Sequence, residues 1–140
     1  MYLIRSNTKC GPKYATKNIT CYKILCKNDK TNTYYSPKQF FKYELNKRVS
    51  SNFSFMLSFL GISSPQIEYN FLKTSKNFDC VEQGLHSFDS MSAAIHYKYC
   101  FIRKGLVMEC IIPKGSWYYE GKDHELVSDN IIINKEIVLF

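Results

Sequence analysis

Leu106-Val107-Met108-Glu109-Cys110-Ile111-Ile112 carries one charge in seven residues and is bracketed by Gly105 and Pro113. A run this short falls far below the roughly 18 apolar residues that span a bilayer. Its length and β-branched content fit a strand. With so little polarity to offer solvent, both its faces need cover, which makes it the expected centre of a sheet. Around it lie other segments that read as strands. Residues 19–26 are β-branched and aromatic, and 33–36 return after the polar turn Lys27-Asn28-Asp29-Lys30-Thr31-Asn32. Phe41, Tyr43 and Leu45 alternate within 38–49, and residues 66–72 alternate strictly. Trp117-Tyr118-Tyr119 and residues 131–140 complete the set. The apolar segment inside 50–65 reads as a short helix or a buried loop.

A helix is expected over about 90–103. Asp89 or Ser90 can cap its free N–H groups, Met91, Ala94, Ile95, Tyr99 and Ile102 recur at helical spacing, and Gly105 closes it. The expected fold is therefore α+β: a single domain with a mostly antiparallel sheet of about six to eight strands and one main helix. Residues 1–17, broken by Gly11-Pro12, read as a loosely packed N-terminal arm. A chain of 140 residues can bury a core without staples.

The 16% aromatic content argues against disorder. The start of the chain is polar within five residues and shows no signal-peptide core, so a cytoplasmic protein with no membrane partner is expected. In that compartment the six cysteines read as free thiols rather than a disulfide framework. No Cys-x-x-Cys or His-x-x-x-His pair occurs, so no structural zinc is expected. Phosphate-loop, dinucleotide and nucleophile-elbow motifs are also missing, so no cofactor is expected.

Charge is distributed unevenly. Residues 1–50 hold eleven Lys or Arg against Asp29 and Glu44, whereas the remainder is slightly acidic. A basic half attracts phosphates or acidic surfaces through its summed field, although a solvated face needs no partner at all. Three clusters carry the candidate chemistry. In Glu82-Gln83-Gly84-Leu85-His86-Ser87-Phe88-Asp89, His86 and Ser87 precede a helix N-terminus that can hold an anion; the plain alternative is helix capping. In Pro113–Gly121, Lys114 and Ser116 can bind phosphate while Tyr118 stacks on a base, or the segment is simply a turn followed by sheet aromatics. The third cluster interleaves Lys13, Lys17, Lys23, Lys27, Lys30, Lys38 and Lys42 with Tyr14, Tyr22, Tyr34, Tyr35, Phe40 and Phe41. Lysines for phosphate and flat rings for bases are what a single-stranded nucleic acid requires. Lys23, Tyr34 and Tyr35 are its central candidates.

Three stretches carry a resemblance: Gly84-Leu85-His86-Ser87-Phe88 with the Ala94 helix, Val107 to Gly121 with its Ile-Pro-Lys-Gly-Ser-Trp-Tyr-Tyr-Glu-Gly ending, and Ser128-Asp129-Asn130-Ile131-Ile132-Ile133. With the hairpin Cys21–Ser36 and Phe40–Leu45, they resemble small uncharacterised proteins of bacteriophages and Bacteroides-type bacteria over about three-quarters of the chain. That resemblance implies a phage or mobile-element accessory protein in a host cytoplasm and brings no assigned activity. A weaker one is to ADP-ribosyltransferase-like domains, which place a hydroxyl-bearing turn before an Ala-containing helix and then a strand ending Ile-Pro-x-Gly. Their late-strand glutamate has no counterpart in Val127-Ser128-Asp129-Asn130-Ile131, which counts against transferase activity.

The reading is thus a non-enzymatic binding protein whose partner is a host protein, a nucleic acid or a nucleotide. A degenerate transferase-like enzyme and a virion or assembly protein are the alternatives. Geometrically, the strand after the helix should run back along it. Pro113–Ser116 would then return to the end where His86 and Ser87 sit.

Overall fold

The structure is a computed structural model that describes residues 3–4, 8–37, 41–50, 80–81, 84–121 and 123–139. The strands expected over 66–72 and the apolar segment 51–65 lie outside the described residues. Among the described residues one antiparallel sheet of ten strands dominates, where six to eight were expected. The surplus comes from short pieces. The segment 38–49 supplies two of them, β5 (Lys42–Tyr43) and β6 (Arg48–Ser50), in place of one half-solvated strand.

The path across the sheet is β2 (Thr8–Tyr14), β10 (Trp117–Gly121), β11 (Glu125–Ser128), β8 (Leu85–Phe88), β3 (Ile19–Asn28), β9 (Leu106–Ile112), β12 (Asn130–Glu136) and β6. The tail of β3 continues into a hairpin with β4 (Thr33–Tyr35), which pairs with β5. A separate two-stranded sheet joins β1 (Leu3–Ile4) to β7 (Cys80–Val81). The segment 106–112 forms β9 as expected, and β9 is interior, with β3 on one side and β12 on the other. Residues 8–14 pair with β10 rather than forming a loose arm.

The central feature of the sheet is a bent ribbon. Ile19 pairs with Ile112, and Tyr14 pairs with Trp117, in the same register. No residue is gained or lost between them. At the bend the Ala15 amide donates to Ser116 O at 2.8 Å, and the Gly115 amide donates to Ala15 O at 2.8 Å. Residues 8–28 and 106–121 thus run as two long partners with a shared corner at 15–18 and 113–116. Gly115 sits at φ 94, a conformation that glycine adopts without steric cost. Strands β11 and β8 cross the gap between the two halves and tie β10 to β3. A sheet that turns a corner in this way folds its inner face onto itself, as in orthogonal β packing.

Alternation along the strands separates two cores. The inner face buries Cys21, Leu25, Leu85, Met108, Cys110, Ile112, Leu126, Ile131 and Ile133, with Tyr34 and Tyr43 closing one end. The outer face carries Ile24, Phe88 and Val107 under the helix. That helix, α1 (Met91–Phe101), is the one described α-helix and begins at a Ser90 cap whose hydroxyl accepts from the Ala93 amide at 3.3 Å. The apolar stripe read from spacing is corrected. Ala94 is the fully buried contact, Ala93, Ile95, Tyr97 and Ile102 are partly buried, and Met91 and Tyr99 face solvent. Small side chains let the helix approach closely, and Tyr97 reaches Phe88 with ring centroids 5.4 Å apart. Gly105 is needed for the same reason: a side-chain carbon there would collide with Ile24 and Ile102.

Candidate functional site

His86 and Ser87, read as one cluster, lie on a strand rather than in a turn. Adjacent strand residues point to opposite faces. Ser87 is fully buried on the inner face, while His86 is half-buried on the other. Asp89 does not cap the helix. It pairs with His124, Nδ1 to Oδ1 at 2.9 Å.

Ser87 belongs to a polar group inside the sheet. Cys21 and Cys110 are direct cross-strand partners, both with no exposure. The Cys110 thiol donates to Met108 O at 3.5 Å, and the buried Ser87 hydroxyl has no hydrogen-bond partner among the described residues. The contact with Cys110 holds the Cys21 thiol below its ordinary value, whereas burial pushes Cys110 up. Lys23, two residues along β3 on the same face, has its Nζ within this enclosure. It donates to His86 O at 2.5 Å and lies 5.5 Å from the centroid of the Tyr43 ring. Burial lowers its pKa. Tyr34, buried opposite Tyr43 in register, is a core residue. Tyr35 is half-buried beside Lys42.

Lys114 and Ser116 lie at the ribbon bend, and Tyr118 follows on β10. Lys114 is exposed, and its amide is fixed by Asn18 Oδ1 at 2.9 Å. Ser116 is fully buried, and its hydroxyl donates to Pro113 O at 2.6 Å. Tyr118 is half-buried against the inner core, opposite Lys13 and Ser128 in register. The strand after the helix does run back along it, but 113–116 is a corner and not the end of a flat sheet. Continuing the Tyr22–Phe88 register places His86 level with Ile24 and Val107, seven residues from Lys114. That is about 23 Å along a strand. Lys114 thus does not return to the level of His86 as expected, whereas Tyr118 comes level with Leu85 across β11.

The bend instead joins two clusters that the sequence kept apart by about a hundred residues. Tyr14 is 54% exposed and packs edge-on against Trp117, with centroids 5.2 Å apart. Lys17 and Lys114 are exposed at the same corner, whereas Lys13, opposite Tyr118, lies on the other face and is held 3.3 Å from Glu120. Two ammonium groups at the corner and an exposed ring offer a backbone phosphate a charge and a base a flat face. Sequence reasoning had both halves of this surface but not their juxtaposition, which is set by register alone.

Among the described residues no group of three or more His, Cys, Asp or Glu converges as a metal centre, and no helix is long and apolar enough to cross a membrane. No protein-family model, curated protein or solved structure matches this chain.

Proposed function

We propose that this chain is a non-enzymatic binding protein, an accessory protein of a phage or mobile element, that engages an anionic host component through the ribbon bend. Single-stranded nucleic acid is the partner class this surface fits best. One observation supports the reading: Tyr14, Lys17, Lys114 and Trp117 come together at one corner, from segments far apart in sequence. The +7 net charge supplies long-range attraction for such a partner. Cys21, Ser87 and Cys110 are fully buried, which favours binding over catalysis as the activity of this fold.

The test is fluorescence anisotropy of a labelled oligothymidine with the full chain at rising salt. Affinity should fall steeply as counterions are released. A titration that shows no binding at low salt, or a salt response that is flat, removes the nucleic-acid reading. Saturable binding of a protein from a host lysate, with no nucleic acid present, would redirect it to a host protein.

A further inference from the structure

His96 and Cys100 are one helical turn apart on α1, and both are exposed. Residues at this spacing face each other on a helix surface. The Cys100 Sγ stands 3.6 Å from the His96 Nε2. A zinc ion takes sulfur at about 2.3 Å and imidazole nitrogen at about 2.0–2.1 Å, and at a tetrahedral angle these bond lengths put the two donor atoms about 3.6 Å apart. The pair thus holds the separation that two neighbouring ligands of one tetrahedral ion need, with no change of backbone. His96 Nε2 is the donor turned toward the thiol, and both side chains can be reached from solvent. The mixed spacing His96-x-x-x-Cys100 is in the sequence, but it matches neither of the homogeneous pairs usually sought.

Two ligands are half a structural zinc set. We propose that His96 and Cys100 bind zinc or a similar soft divalent cation, and that a second copy of this chain completes the site with its own pair. A two-fold axis through the ion gives a Cys2His2 set, since an isologous contact presents the same patch from both partners. The surface around the pair suits such a contact. Tyr99, on the flank of the pair, leaves 56% of its surface exposed on the side of the helix turned away from the sheet. On binding, the Cys100 thiol releases its proton to solvent and the neutral imidazole donates its lone pair, so metal uptake acidifies the solution.

The test is titration of the reduced full chain with cobalt(II) alone, followed by displacement with zinc. The expected result is a sulfur-to-cobalt charge-transfer band with intense tetrahedral d–d bands. The endpoint should be one metal per two chains, with a dimer in sedimentation velocity. Cys100→Ser should abolish the charge-transfer band, and His96→Gln should weaken binding at least tenfold. Both positions are exposed, so circular dichroism should be unchanged. Cys26→Ser, at a half-buried thiol on β3, should leave the bands in place. Absence of the bands from the wild-type chain, or their loss with Cys26→Ser instead of Cys100→Ser, overturns the site. A monomer that saturates at one metal per chain overturns the shared site.

Discussion

Asp89 and His124 hold each other twice. The Asp89 amide donates to His124 O at 2.8 Å, and the side chains pair at 2.9 Å. This clasp joins the start of α1 to the turn between β10 and β11. His124 pays for its place with a left-handed backbone at φ 63. The side-chain pair is largely exposed, so it contributes under about 1 kcal/mol. His124→Gly keeps the backbone bond and relieves the φ. It should therefore unfold in urea within about 0.5 kcal/mol of wild type, since glycine adopts φ > 0 freely. A loss above that would show the ion pair, not the backbone, to be the fastener.

Gly105→Ala should be among the most damaging single-carbon changes in the chain. The added carbon meets Ile24 and Ile102, which are fixed between helix and sheet. Overpacking of this kind costs about 1–3 kcal/mol. Ser90→Ala should cost about 1 kcal/mol through loss of the helix cap. Chemical denaturation of both variants measures the order, with Gly105→Ala the worse.

Lys23 gives a pH signature. Burial lowers its pKa from the ordinary 10.5, so the unfolded chain holds this proton more tightly than the folded one. Stability therefore rises with pH through the window between the folded-state value and 10.5. Lys23→Met removes that contribution. Its effect relative to wild type should become less favourable as pH is raised from 7 into this window, as followed by urea unfolding. A difference that does not change with pH would show that the ammonium is already well solvated.

Asp129 works in the other direction. Burial raises its pKa above 3.8, so stability falls as pH rises from 3.8 through the folded-state value. Its Oδ1 accepts from the Trp117 amide at 3.0 Å and from the Asn130 side chain at 2.9 Å. Asp129→Asn keeps that acceptor without the charge. It should raise the melting temperature at pH 7 and lose the advantage below pH 3.8. Asp129→Ala strands the Trp117 amide and should cost about 1 kcal/mol or more.

At the ribbon bend, charge and ring contributions should separate. Lys114→Ala should shallow the salt dependence of oligothymidine binding by about 0.7 of a unit of slope. Tyr14→Ala should weaken binding by about 1–3 kcal/mol with the slope kept. Equal effects of both on the slope would show that Tyr14 takes no part in stacking.

The elements that could be read from the sequence were those whose signals are local. The apolar run 106–112 needs two covered faces wherever it sits, and Ser90 caps a helix by its own side chain. The helix face was harder, because Met91 and Tyr99 keep the apolar period while the contact is made by Ala93 and Ala94. His86 and Ser87 would have separated had Leu85–Phe88 been read as a strand, where neighbours face opposite ways. The bend left a local trace on one side only, in the turn read at Pro113-Lys114-Gly115-Ser116. Tyr14 and Trp117 meet through a register that runs across a hundred residues, and neither residue carries a mark of the other.

That register also governs how the chain can come into being. The inner core needs β3 against β9, yet about eighty residues separate the end of one from the start of the other. Pairing them first requires closing a long loop, which slows folding far more than it alters final stability. During synthesis the basic N-terminal half emerges with β4 to pair only the tail of its longest strand, and the pairing of Ile19–Leu25 with β9 waits for the last third. Truncation after residue 105 should therefore leave an unfolded chain rather than a smaller domain.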